Sequence, residues 1–282
     1  MSNQIIRCHS AKRRFAAKHE AIAFALLLAA GICAAAECEK TCESPKTCQE
    51  PNVQPDPVDA VLKQLNDKTL ALAYCEAFIE YKTIQPLYES EAIRKGTLYY
   101  AKFGEKSNLR INFQTLKQDD EKEEKYIEQY IFDGAWLTQI NYQIKAVKKY
   151  QLAEPNKPVD AFDVASNKIP LIGFAKTENL KEQFDITLVD EKKDKPAAYF
   201  QLHLKVKPNS TYKDDYVSLD FWVDKELGLP TRIIAVSTEE DIYEIRLLKP
   251  KIDEKIDKKV FEFKIPRGFG EPEIIPLEKK EE

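Results

Sequence analysis

The pentapeptide Leu109-Arg110-Ile111-Asn112-Phe113 decides how this sequence folds. Apolar and polar residues alternate through it, so Leu109, Ile111 and Phe113 share one side of a strand, with Arg110, Asn112 and Gln114 opposite. Upstream, Gly96 precedes Leu98-Tyr99-Tyr100-Ala101-Lys102-Phe103, a run rich in residues that suit a pleated surface. Downstream, Tyr126 to Phe132 runs into Asp133-Gly134, a strong signal for a two-residue hairpin, and Trp136 to Tyr142 returns from it. This is a meander of antiparallel strands.

A second group of strands follows. Phe200, Leu202, Leu204 and Val206 oppose Tyr199, Gln201, His203 and Lys205, and Val217, Leu219, Phe221 and Val223 form another apolar row. Ile233, Ala235 and Ser237 face away from Ile234 and Val236, a less one-sided strand. Ile242 to Leu248 and Val260 to Ile265 read as two more, the last stopped by Pro266. Before the first group, Val61, Leu62, Leu65, Leu70, Leu72, Phe78 and Ile79 recur with mostly helical spacing. That predicts one amphipathic helix from Val58 to about Tyr81, with Asp59 at its positive end and Cys75 inside it. Between the groups, residues 159–183 read as loops and short helices, with a brief helix from Glu178 to Phe184. The charged stretches 117–125, 190–195 and 251–259 read as solvated hairpin tips. A long sheet with helices at its start and middle is an α+β arrangement.

The first 36 residues read as an address. Arg7, Lys12, Arg13, Arg14 and Lys18 precede an apolar run from about Ala21 to Cys33, and Ala34-Ala35-Ala36 supplies a small-residue cleavage site. The run is roughly a dozen residues, short of the about 20 that a spanning helix needs. The expectation is cleavage after Ala36 and export to the periplasm. The competing expectation is a surface-anchored protein lipidated at Cys33. Residues 37–57 then read as an unstructured Cys/Pro-rich linker, 58–277 as a single domain and 278–282 as a charged tail.

Removing 36 residues from 282 leaves 246, and five basic residues and one acid leave with them, so 38 basic and 46 acidic residues remain. A net charge near −8 excludes a basic nucleic-acid-binding field. The remaining cysteines, Cys38, Cys42, Cys48 and Cys75, can form two disulfides by three pairings among which the sequence does not choose, and Cys75 reads equally as a buried thiol. Their spacing lacks the paired C-x2-C of a zinc site. His203 is the sole histidine left, on the polar side of its strand, so neither a His-based metal site nor a Ser-His-Asp triad can be assembled. Gly268-Phe269-Gly270 has no helix after it and is not a phosphate loop. No catalytic residue, metal or cofactor is expected.

The apolar rows admit two uses. A curved antiparallel sheet backed by few helices can leave an apolar cavity, or the rows can pack solidly against the helices. A cavity suits an acyl chain, each buried methylene of which contributes roughly 0.8 kcal/mol.

The order of elements resembles the outer-membrane lipoprotein carrier family, LolA-like. The phrases that carry the resemblance are Gly96-Thr97-Leu98-Tyr99-Tyr100, the pentapeptide 109–113, Tyr130-Ile131-Phe132-Asp133-Gly134-Ala135-Trp136-Leu137 and Phe200-Gln201-Leu202-His203-Leu204-Lys205-Val206-Lys207-Pro208. Leu219-Asp220-Phe221-Trp222-Val223-Asp224, Leu229-Pro230-Thr231-Arg232-Ile233 and Phe261-Glu262-Phe263-Lys264-Ile265-Pro266-Arg267-Gly268 complete the set. The resemblance spans most of residues 58–270. It implies an incomplete β-barrel, its concave face covered by the N-terminal helix and short helices, that shields lipoprotein acyl chains or a related lipid. It also implies a monomer that exchanges cargo with membrane-bound donor and acceptor proteins. On this reading Leu109, Ile111, Phe113, Leu219, Phe221 and Val223 line the cavity, and Arg110 matches the strand arginine that holds the lid. The Cys/Pro-rich segment and the charged insert 117–125 depart from the family's pattern. An extracytoplasmic structural or interaction protein with the same fold and a filled core is the other expectation.

Overall fold

Alternation that the helical reading passed over sets the middle of the molecule. In Tyr74-Cys75-Glu76-Ala77-Phe78-Ile79-Glu80-Tyr81, the residues Cys75, Ala77, Ile79 and Tyr81 are buried and those between them are not. A period of two makes a strand, not a helix. In the computed structural model the helix therefore ends early: α1 spans Pro57–Ala71, and β1 runs Tyr74–Gln85. The structure describes residues 56–162, 179–189 and 198–277. The readings on 1–36, on Cys33, Cys38, Cys42 and Cys48, on the stretch 190–195 and on the tail 278–282 lie outside those residues. The chain divides between Asn52 and Val53, and every described residue belongs to the second unit.

The first meander continues with β2 (Ser90–Phe103), β3 (Lys106–Gln118), β4 (Glu124–Phe132), β5 (Trp136–Asn141) and β6 (Ala146–Gln151). A one-turn helix, α2 (Leu180–Gln183), leads into β7 (Phe184–Leu188), then β8 (Tyr199–Val206), β9 (Tyr216–Asp224), β10 (Pro230–Ser237) and β11 (Ile242–Ile252). A short β12 (Glu273–Ile275) ends the series. The sheet order is β12-β6-β5-β4-β3-β2-β1-β11-β10-β9-β8-β7, twelve strands in one open sheet whose edges are β12 and β7. All pairs are antiparallel except β12 on β6. The α+β class, a large curved antiparallel sheet with few helices, is thus the observed architecture.

Two expected elements take other forms. Residues 260–265 make no strand. A 3-10 turn, Lys258–Phe261, is capped by Asp257, whose carboxylate accepts the Lys259 N–H at 2.9 Å. Phe261 then packs edge-on against Phe103 on the outer face, and Phe263 and Phe269 pack beside Ile131, Ile140 and Val147. These aromatics anchor a strap across the outer face where alternation had suggested a ladder. The brief helix expected over 178–184 is present as α2, but Phe184 already begins β7. At the β4–β5 hairpin, Asp133 N–H donates to Trp136 O at 3.2 Å, and the Asp133 carboxylate accepts the N–H groups of Ala135 and Trp136 at 3.1 and 2.9 Å. Gly134, at φ +100°, takes the left-handed position at the tip.

The main core lies between the inner face of the sheet and α1. Asp56 caps that helix by accepting Val58 N–H at 3.0 Å, Pro57 suits the first turn, and Val58, Val61, Leu62 and Leu65 face the sheet. Burial of each contributes roughly 2 kcal/mol. The helix is tied to the β7–β11 half: Gln64 Nε2 donates to Lys225 O at 3.1 Å, and Lys181 pairs with Asp59. Inner-face rows from both meanders, including Leu98, Leu109, Leu204, Leu219, Phe221 and Ile245, complete the core, each at most 3% exposed.

The sheet bends where β2 and β3 shift register between Lys95 and Gly96. At Gly96 a Cβ would lie 1.9 Å from the carbonyl oxygen of Asn112, so only glycine permits this approach. Gly96→Ala is expected to cost about 3 kcal/mol through backbone displacement, measured as a lowered urea midpoint. An unchanged midpoint would refute the close approach.

Candidate functional site

Beyond the packed core, the inner face of β1–β6 encloses a cavity of about 190 Å³. Each wall residue comes from an inward position: Tyr81 on β1, Arg94 on β2, Phe113 on β3, Tyr130 on β4, Leu137 and Gln139 on β5, and Tyr150 on β6. None belongs to α1. Two register shifts, at Lys95/Gly96 and at Phe113/Thr115, curl these strands around the hollow. Phe113 sits edge-on to Tyr130 and beside Tyr81, with centroids 6.3 Å apart in each case.

The wall is mixed: Phe113 and Leu137 are apolar, whereas Tyr81, Arg94, Tyr130, Gln139 and Tyr150 carry polar groups. Gln139 Nε2 donates to Glu128 Oε1 at 2.8 Å and to the Tyr130 hydroxyl at 3.1 Å, and its Oε1 accepts from the Tyr150 hydroxyl at 3.4 Å. Burial pushes the Tyr130 and Tyr81 hydroxyls above the usual tyrosine range, so both stay protonated. Glu128 Oε2 and Arg94 Nε are buried and have no hydrogen-bond partner. Among the described residues no group of three His, Cys, Asp or Glu side chains could hold a metal ion. Such a site can hold an organic molecule with one polar end; it brings no nucleophile and base together.

The residues expected from the sequence fall in three places. Leu109, Ile111, Leu219, Phe221 and Val223 are at most 3% exposed and belong to the same core cluster as Val61, Leu62 and Leu65 of α1. Phe113 alone of that set also lines the hollow. Arg110 points to the outer face, where its guanidinium donates to the carbonyls of Val260 and Glu262 at 2.7 and 3.1 Å and to Asn112 Oδ1 at 2.8 Å. It therefore pins the C-terminal strap, and among the described residues it contacts no α-helix, because alternation puts it opposite Leu109 and Ile111. Among the described residues Cys75 is a free, buried thiol, and it lies in β1. His203 Nδ1 lies 3.1 Å from Asp220 Oδ1 on the outer face.

Sequence reasoning missed Arg94, Glu128, Tyr130 and Gln139. The signal was present for three of them. Phe132 pairs with Leu137 and both face inward, so Tyr130, Glu128 and Gln139, at steps of two, must face inward as well.

The outer face of the other half carries an ionic ladder. Glu244 accepts from Arg232 Nε and Arg246 Nε, both at 2.7 Å, and Arg232 stacks on Trp222 with its Cζ 4.3 Å from the ring centroid. Burial pushes the Glu244 carboxyl up, but the bonds from Arg246 and Arg232 outweigh it and hold it below the usual carboxylate range.

No protein-family model matches this chain, and no curated protein does. Among solved structures, an uncharacterized conserved protein from Thermus thermophilus is similar with a TM-score of 0.44 at 9% identity, over 79% of this chain and 100% of that one. A chain of the Pseudomonas aeruginosa MucA/MucB complex gives 0.42 at 12% identity, over 74% of this chain and 62% of that one. A putative outer membrane lipoprotein-sorting protein domain from Vibrio parahaemolyticus gives 0.33 at 12% identity, over 72% and 96%. At such scores nothing about binding follows from them, and the architecture stands on the strand order above.

Two outcomes follow from this geometry. The Glu244 carboxyl is more acidic folded than unfolded, so its pairs stabilise the fold above the unfolded value and cease to as pH falls through the folded one. Glu244→Gln is thus expected to lower stability by about 1 kcal/mol at neutral pH, since both arginines are partly exposed and the pairs are screened by solvent, with the gap to wild type closing below about pH 4 in urea titrations. Burial, with help from Asp253 and Glu76, pushes the Cys75 thiol up to about 12. Peptide mass mapping should find Cys75 unmodified by iodoacetamide at about pH 8 in the native protein and fully modified in urea.

Proposed function

We propose that this protein is an exported, non-catalytic carrier that shields an acyl chain of a lipoprotein, or a related lipid, against the inner face of its sheet. The observation that supports this reading is the hollow itself, a partly open site on the face opposite the strap, with no wall residue from α1 and room for the end of a chain. A concave site with a few convergent polar groups is what a small-molecule site requires. The segment 159–162 supports it further. Phe162 stacks on Tyr100 with centroids 4.3 Å apart, and Ser107 Oγ accepts Ala161 N–H at 2.7 Å, so chain lies over the inner face of β2 and β3 beside the hollow. On this reading the protein works as a periplasmic monomer that receives cargo from one membrane-bound protein and yields it to another.

One observation favours a second reading, an extracytoplasmic interaction protein. Leu109, Ile111, Leu219, Phe221 and Val223 lie in one buried cluster with the inward residues of α1, and a core filled in this way needs no cargo. The surface-anchored alternative rests on Cys33, outside the described residues.

Native mass spectrometry of the gently purified full chain, with titration of a fluorescent long-chain fatty acid, separates the readings. The carrier is expected to retain lipid and to bind the probe saturably; an empty protein that binds no probe would overturn it.

A further inference from the structure

Hydrogen bonding around the hollow is uneven. Gln139 is satisfied on both sides of its amide, by Glu128, Tyr130 and Tyr150. Arg94 is not. Its guanidinium lines the hollow, its Nε is buried without a partner, and among the described residues its side chain makes no ion pair. The ring of Tyr126, 5.8 Å from Cζ, covers one face of it. Arg94 as a whole is half-buried, but a buried N–H donor such as its Nε without an acceptor is rare in folded proteins.

The chemistry of the missing acceptor is constrained. Glu128 does not line the hollow; its Oε1 accepts from Gln139, and its Oε2 is buried without a partner. The charge that faces the enclosed space is therefore that of Arg94. Among the described residues no second cation lines the space, so a doubly charged phosphate would be left half neutralised, whereas a single negative charge is matched. Across from Arg94 stand the apolar side chains of Phe113 and Leu137. A cavity of about 150 Å³ accommodates benzene, so 190 Å³ holds roughly eight non-hydrogen atoms.

We propose that this cavity binds the carboxylate end of an aliphatic carboxylic acid, with Arg94 holding the carboxylate and Phe113 and Leu137 packing its first methylenes. The proposal rests on the same hollow as the carrier reading and narrows it to the related-lipid branch, a free carboxylic acid, because the ester- and amide-linked chains of a lipoprotein carry no carboxylate.

The test is titration of the full chain with 13C-labelled hexanoate and, in parallel, with hexanamide, its uncharged counterpart, followed by NMR. Wild type is expected to bind hexanoate about tenfold or more tightly than hexanamide, as a charge-assisted hydrogen bond implies. Arg94→Gln should abolish that preference, the two ligands then binding with equal affinity. Leu137→Trp, which fills the space and keeps Arg94, should weaken both. Equal affinity of wild type for the two ligands would overturn the proposal without recourse to any variant, and so would a preference that survives Arg94→Gln in a protein of wild-type melting temperature. Hexanoate binding without long-chain fatty-acid binding would leave this site standing and remove the carrier reading. Long-chain binding with no preference for carboxylate would do the reverse.

Discussion

Strand Tyr74–Gln85 holds the two halves of the molecule together. On one side it pairs along its whole length with Ser90–Phe103, a neighbour in sequence, and on the other with Ile242–Ile252, more than a hundred residues away. Each meander alone is a chain of local hairpins; this non-local seam makes them a single sheet and brings their apolar rows into one surface. Cys75, Ala77, Ile79 and Tyr81 carry that surface across the seam, which is why their burial is nearly complete. Forming the seam closes a long loop, an entropic cost that the shared apolar surface must outweigh.

A twelve-stranded sheet has two faces to cover and few helices to do it. The two halves solve this differently. In the β7–β11 half, α1 covers the inner face, and the outer face is left to solvent under a ladder of Glu244, Arg232, Arg246 and Trp222. In the β1–β6 half, the strap of residues 256–269 covers the outer face with Ile256, Phe261, Phe263 and Phe269, fastened by Arg110. The inner face of that half is covered in part by Ala161 and Phe162, and what the described residues leave uncovered is the hollow with Arg94. The candidate site is thus the remainder of a covering problem. Its polar wall is stabilised by a network in which Gln139 joins Glu128 to Tyr150.

Much of this was legible in advance where side-chain period alone decides. Strands with strict alternation, such as Leu109–Phe113, Phe200–Val206 and Leu219–Val223, occur where the pattern put them, with the predicted faces inward. The reading failed where an apolar run satisfied two periods at once. Residues 58–81 contain enough apolar side chains to fill a helical template, and the change from helix to strand near Leu72 is marked by no proline or glycine. Val260 to Ile265 failed for the opposite reason: its alternation is real, but its aromatics are used to grip the strap. For the site, polar residues were assigned to solvent by default, although Glu128 and Gln139 share a face with Phe132 and Leu137.

By itself the sequence determined the fold class, the strand faces and the scarcity of groups for catalysis, because these depend on residue type and on spacing along one strand. It could not determine which strands are neighbours across the seam, which face the C-terminal strap covers, or that Arg94 faces an enclosed space without an acceptor. Those depend on where chain segments distant in sequence come to rest, and only the assembled sheet, curled by its register shifts around Gly96 and Phe113, decides that.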